Sequence, residues 1–168
     1  AALADFLPLA FFSGFAVDSK YERQADEFAV GLLLPRGSFV QAMKDAGDGL
    51  SAIEKLAATC LTSLTATAIR FVECSREPIA VIVSNEQGVR YSALSSSFTD
   101  LGGVHPLKRD SHVPNGGPTS RLLRNSDQIL QAERLEDTSN IQDWFPNGPD
   151  QEVVEEAYSL GYLAFPQL

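Results

Sequence analysis

The 168-residue chain is 44% hydrophobic and carries 22 acidic against 13 basic residues, a formal net charge of −9. That length and apolar content suit one ordinary domain core, or two small ones, and exclude a chain disordered throughout. The charge is uneven: nine acids and one base, Arg134, lie between Asp127 and Glu156, so the C-terminal third lacks the basic surface that phosphate binding needs.

Ala1 to Asp18 carries Phe6, Leu7, Leu9, Phe11, Phe12 and Phe15 with Pro8 and Gly14 among them, so a single long helix is not expected there. A short helix with an irregular apolar loop is one expectation; a binding surface for a preceding segment is the other. No basic region opens the run, and Asp5, Pro8, Ser13 and Gly14 interrupt it, so neither a signal peptide nor a membrane partner is expected. The first residue is Ala1 rather than methionine, as expected of a piece of a longer protein. Cys60 and Cys74 form no C-x-x-C pair and read as free thiols of a cytoplasmic protein.

Ser19 to Pro35 is the best-bounded stretch. Tyr21, Ala25, Phe28, Ala29, Leu32 and Leu33 recur at three- and four-residue steps and form one apolar stripe of an amphipathic helix, 19–34. Ser19 with Glu22 can form a capping box, and Pro35 stops the helix. Glu22 and Asp26, four residues apart, share a face. From spacing alone, that pair fits a solvated face and a cap as well as a metal site, because carboxylates without histidines are a weak metal signal.

Glu22, Ala25, Asp26, Phe28, Ala29, Leu32, Leu33 and Pro35 together resemble the C-terminal metal-ligand helix of the ImmA/IrrE family of zinc metallopeptidases. The resemblance implies that Glu22 is the third zinc ligand, after two histidines from an H-E-x-x-H helix. Asp26 would hold a ligand histidine through its other ring nitrogen. It further implies zinc-assisted peptide hydrolysis, in which the metal acidifies a bound water and a glutamate acts as base, with a DNA-binding repressor or other regulatory protein as substrate. This sequence contains no H-E-x-x-H. The expectation is therefore a fragment that follows the catalytic helix, or a degenerate member, inactive alone because one carboxylate cannot hold catalytic zinc. The alternative is a non-catalytic regulatory module that binds a ligand, a partner protein or DNA.

Ser38 to Ala46 predicts a short helix with Phe39, Val40 and Met43 on one side, ending at Gly47. Ser51 to Cys60 opens on a second apparent capping box, Ser51 with Glu54, and should bury Ile53, Leu56 and Ala57. Ser63 to Cys74 follows with Leu64, Ala68, Ile69 and Val72 on one stripe. The pair 51–74 resembles a helix-turn-helix. Its second helix offers only Arg70 against Glu73, so a structural hairpin is favoured over DNA recognition. Leu64 to Glu73 also resembles the second helix of the unit that follows the ligand helix in ImmA/IrrE proteins.

The period then falls to two. Ile79 to Ser84, the turn Asn85 to Gly88, and Val89 to Leu94 predict a β-hairpin. Thr99 to Pro118 is rich in glycine and proline; its His105 and His112 fit no common zinc spacing and read as exposed loop residues. Thr119 to Arg124 predicts a short helix, Ile129 to Glu136 a strand, and Trp144 a core anchor at the end of an element. Val153 to Leu160 and Tyr162 to Phe165 read as a closing hairpin whose face Val153, Glu155, Ala157 is expected at solvent. The fold class is α+β, with a helical part over 1–76 and a β-rich part over 77–168; the latter resembles the GAF-like sensor region of ImmA/IrrE proteins.

Overall fold

A computed structural model describes residues 33–124 and 133–160. The expectations for Ala1 to Asp18, for the body of the 19–34 helix with Glu22 and Asp26, and for the strand Tyr162 to Phe165 lie outside those residues. The chain divides into two compact units, Ala1–Ser75 and Arg76–Leu168. Six helices and two two-stranded antiparallel sheets are formed among the described residues, an α+β composition. No helix among them is long and apolar enough to cross a membrane.

In the first unit, Leu33 is helical and the chain bends at Leu34 before Pro35. Pro35 then caps α1 (Arg36–Ala46), its carbonyl accepting from Phe39 N at 2.9 Å. Phe39, 2% exposed, is the anchor of α1. Ser38 falls inside the first turn and donates back to the Pro35 carbonyl. Gly47, at φ +90°, ends this helix in a conformation that other residues seldom adopt.

Helix α2 (Gly49–Cys60) begins two residues before the expected capping box. Asp48 is the N-cap, and Ser51 Oγ donates to the Asp48 carbonyl at 3.2 Å instead of receiving a backbone N–H. The Ser51–Glu54 box is therefore not formed: the helix has already started when the chain reaches Ser51. The expected core positions Ile53, Leu56 and Ala57 are buried, joined by Ala52.

Leu61, left-handed at φ 55°, ends α2, and Ser63 caps α3 (Leu64–Cys74) by accepting from Ala66 N at 3.2 Å. Thr67 is fully buried and its hydroxyl closes this tight connection, donating to the Ser63 carbonyl at 2.9 Å and lying 2.8 Å from the Thr62 hydroxyl. The buried face of α3 is thus centred on Thr67, Phe71 and Val72, whereas Leu64 and Ile69 are only half-buried.

In the second unit, β1 (Ala80–Asn85) and β2 (Gly88–Leu94) form the expected hairpin, in register Ala80↔Leu94 with an irregularity between Val83 and Ser84. The outer edge of β2 is joined by the following loop: Val89 N donates to the Ser111 carbonyl at 2.9 Å, and Asp110 N to the Val89 carbonyl at 2.7 Å. Gly88 is required at this crossing, since a Cβ there would lie 2.5 Å from the Ser111 carbonyl oxygen.

Ser95, 1% exposed, caps the short α4 (Ser96–Thr99) and also accepts from Ile79 N at 3.0 Å, so one hydroxyl ties the helix to the entry of β1. Helix α5 (Pro118–Arg124) precedes β3 (Arg134–Asn140), α6 (Ile141–Trp144) and β4 (Glu152–Tyr158). The core of the unit is Phe98, Val104, Ile141 and Phe145, with the two phenyl rings edge to face at 5.4 Å. Trp144 packs against it at the end of α6, as its position in the sequence predicts.

β3 and β4 pair antiparallel, Arg134↔Tyr158 through Asn140↔Glu152. β4 is therefore partnered by β3; of the strand expected over Ile129 to Glu136, Arg134 to Glu136 is strand, while Ile129 to Ala132, like Tyr162 to Phe165, lie outside the described residues. The register sorts the two faces of this pair. It sets Leu135 opposite Ala157 and Ser139 opposite Val153 on one face, and leaves Arg134, Glu136, Val154 and Glu156 on the other.

Candidate functional site

Of the residues singled out for metal binding, Glu22 and Asp26 lie outside the described residues. The residues at the expected end of their helix, Leu33 to Pro35, are described, and Leu34 is firmly held. Leu34 is 1% exposed, and its carbonyl accepts from Arg70 Nε on α3 at 3.0 Å. Arg36, next but one in sequence, donates to the Glu73 carbonyl at 3.4 Å. Arg70 also pairs with Glu73 at 3.0 Å, so the one cation expected to serve a DNA-reading helix is already engaged within the unit.

Among the described residues, no three of His, Cys, Asp and Glu come together in a way that could hold a metal ion. His105 and His112 are exposed loop residues, as their surroundings in the sequence predict. Cys74 is buried, and burial raises its thiol pKa despite the nearby Arg70 and Arg36, which keeps the sulfur protonated and a poor ligand.

The most highly organised polar group lies elsewhere, at Glu155 in the middle of β4. Its Oε1 accepts from Thr119 N at 3.1 Å and from the Thr119 hydroxyl at 2.7 Å. Oε2 accepts from the Ser139 hydroxyl at 2.6 Å and from Trp144 Nε1 at 3.1 Å. One carboxylate thereby joins α5, β3, β4 and α6. Burial alone would push its pKa up; the hydrogen bonds from Ser139, Thr119 and Trp144 outweigh burial and hold it below the ordinary range. Gly117 makes room for it, since a Cβ there would stand 2.9 Å from Oε2.

This geometry corrects the expectation that the Val153, Glu155, Ala157 face is turned to solvent. Ala157 is 6% exposed and Glu155 is half-buried, because α5 covers that face. The neighbouring Asp137, directly opposite Glu155, is met by Arg121 of α5 at 2.8 Å. Its pKa is lowered by the Thr138 N–H and by Arg121. With four donors on two oxygens, Glu155 has no capacity left for a substrate proton, and its role is to hold elements together. The sequence does contain a signal for this: an acid at the centre of an alternating strand, flanked on its own face by Val153 and Ala157.

No family model, curated protein or solved structure matches this chain. The site must therefore be read from its own geometry.

A concavity of binding size is formed by described residues of the second unit. It is an open groove of about 370 Å³ between the hairpin turn Asn85 to Gly88, the loop at Asp110 to Asn115, and α5 at Ser120 to Arg124. Its volume is within the usual range for small-molecule sites. Val113, 8% exposed, and Leu123 give it an apolar floor, and amides, His112 and Arg124 give it polar walls.

Proposed function

We propose that this chain is the ligand-helix and regulatory portion of an ImmA/IrrE-type zinc metallopeptidase that cleaves a regulatory protein, with a DNA-binding repressor as the expected substrate class. Glu22 would supply one of three zinc ligands and Asp26 would orient a ligand histidine, the histidines coming from an H-E-x-x-H helix that this chain does not contain. The observation that supports the reading most is the anchoring of the chain at Leu34, just before Pro35. A metal ligand needs a fixed backbone, and the buried Leu34, with its carbonyl bound to Arg70, would fix the end of the helix expected to carry Glu22. On this reading the first unit is a scaffold for the ligand helix, and the β-rich unit is a GAF-like sensor that controls it.

Two experiments test the reading. Peptidase assays on the 168-residue chain should show no EDTA-sensitive cleavage of a repressor substrate; such activity from this chain alone would refute it. The coding sequence upstream of Ala1 should encode H-E-x-x-H, and its absence there would equally count against the enzyme.

The groove in the second unit favours a second reading, a regulatory module with no metal chemistry that acts by binding a small ligand or a partner protein. The two readings part at Glu22→Ala in the complete encoded protein. The peptidase reading requires loss of cleavage, and the module reading requires unchanged function.

A further inference from the structure

The groove walls carry three side-chain amides, and the orientation of each is fixed by the chemistry of its partner. Asn85 Oδ1 accepts from the Gln87 backbone N–H at 2.9 Å. Gln87 Oε1 accepts from Arg90 Nη1 at 3.4 Å, and Asn115 Oδ1 from Arg124 Nη2. A backbone N–H and a guanidinium can only donate, so in all three cases the atom facing the partner must be the amide oxygen. The NH2 groups of Asn85, Gln87 and Asn115 are left over, and no described residue accepts from them.

The other acceptors in the groove are also engaged. Asp110 is paired with Arg90 at 2.6 Å, and Ser120 Oγ takes Gly116 N at 3.0 Å while donating to the Gly117 carbonyl. The free hydrogen-bonding capacity of the groove therefore consists mainly of donors: three NH2 groups and the unused N–H groups of Arg124. The exceptions are Glu86, the second carboxylate oxygen of Asp110 and the ring of His112. Glu86 is exposed at the hairpin turn.

We propose that this groove binds a small organic anion, carboxylate or phosphate, whose oxygens accept from the amides and from Arg124 and whose apolar portion rests on Val113 and Leu123. A donor-rich wall with one guanidinium matches an anion of that kind, since charge-assisted bonds from arginine to such oxygens are the strong ones. The assignment deepens the sensor reading of the β-rich unit. It is tested on binding alone, so it can fail while the zinc reading stands, and the reverse.

The test is a titration of the 15N-labelled 168-residue chain, followed through the side-chain NH2 resonances of Asn85, Gln87 and Asn115. The probes are inorganic phosphate, sodium benzoate and, as a neutral analogue, benzamide, at constant pH and ionic strength. Saturable shifts with phosphate or with benzoate are expected, and which of the two saturates assigns the anionic group. Arg124→Gln and Asn115→Asp should each weaken that binding about tenfold or more. Asn115→Asp keeps an acceptor for Arg124 while replacing the donor by a carboxylate, so it carries the test should Arg124→Gln fold poorly. Shifts that never saturate, equal saturation by benzamide, or unchanged affinity in a folded variant would overturn the proposal.

Discussion

At the scale of single residues, Glu155 is the group whose environment determines most. Its carboxylate receives four hydrogen bonds, and no buried side-chain polar atom of the described residues lacks a partner. Glu155→Gln keeps the shape but turns an NH2 toward donors that need an acceptor. It should destabilise the protein by about 2–3 kcal/mol, read as a lower midpoint in urea. Trp144 is the chain's only tryptophan and donates directly to this carboxylate, so its fluorescence reports the event locally. The pH dependence has a definite sign. Because the folded-state pKa of Glu155 is depressed, its contribution is fully present above the unfolded glutamate value of about 4.3 and is lost as pH falls through the folded value. Wild-type stability should decline across that acidic window, and Glu155→Gln should flatten the decline; parallel curves for the two proteins would contradict this role.

At the scale of elements, helix starts are set by which residue can terminate the preceding turn. Ser63 caps α3, and Ser63→Ala should cost about 1 kcal/mol. Ser51 looks like an equally good cap in the sequence but lies inside α2, so Ser51→Ala should change stability by less than about 0.5 kcal/mol. Urea denaturation followed by circular dichroism separates the two, and equal costs would mean that α2 begins at Ser51 after all. Arg70→Met should cost about 1–2 kcal/mol in the same assay, because it leaves the carbonyl of a buried Leu34 without its donor. The helix pair and the first hairpin are legible in the sequence because periods of 3.6 and 2 persist there over ten or so residues. The start of α2 is not: Gly47 and Asp48 end one helix and begin the next within a few residues, and two adjacent cap candidates compete. The partner of β4 is equally hidden, since strand pairing depends on contacts distant in sequence.

At the scale of the whole molecule, the sequence and the structure inform different halves of the account. The resemblance rests on Glu22 to Pro35, whose acids lie outside the described residues, while the structure supplies the anchored Leu34 and a half-buried carboxylate, Glu155, that periodicity alone assigns to solvent. Periodicity misplaces Glu155 because its burial comes from α5, an element distant in sequence, and the apolar flanks Val153 and Ala157 are the one local mark of it in β4. The groove is not legible at all, since it gathers residues from three separate stretches and depends on the orientation of their amides. What unites the account is the claim that Glu22 is one third of a zinc site completed by a preceding helix. The most direct measurement is the zinc content of the complete encoded protein, purified with Glu22 intact and as Glu22→Ala. The account predicts about one zinc per chain in the first and a loss of most of it in the second. Zinc retained in full by Glu22→Ala, or none in either protein, would contradict it.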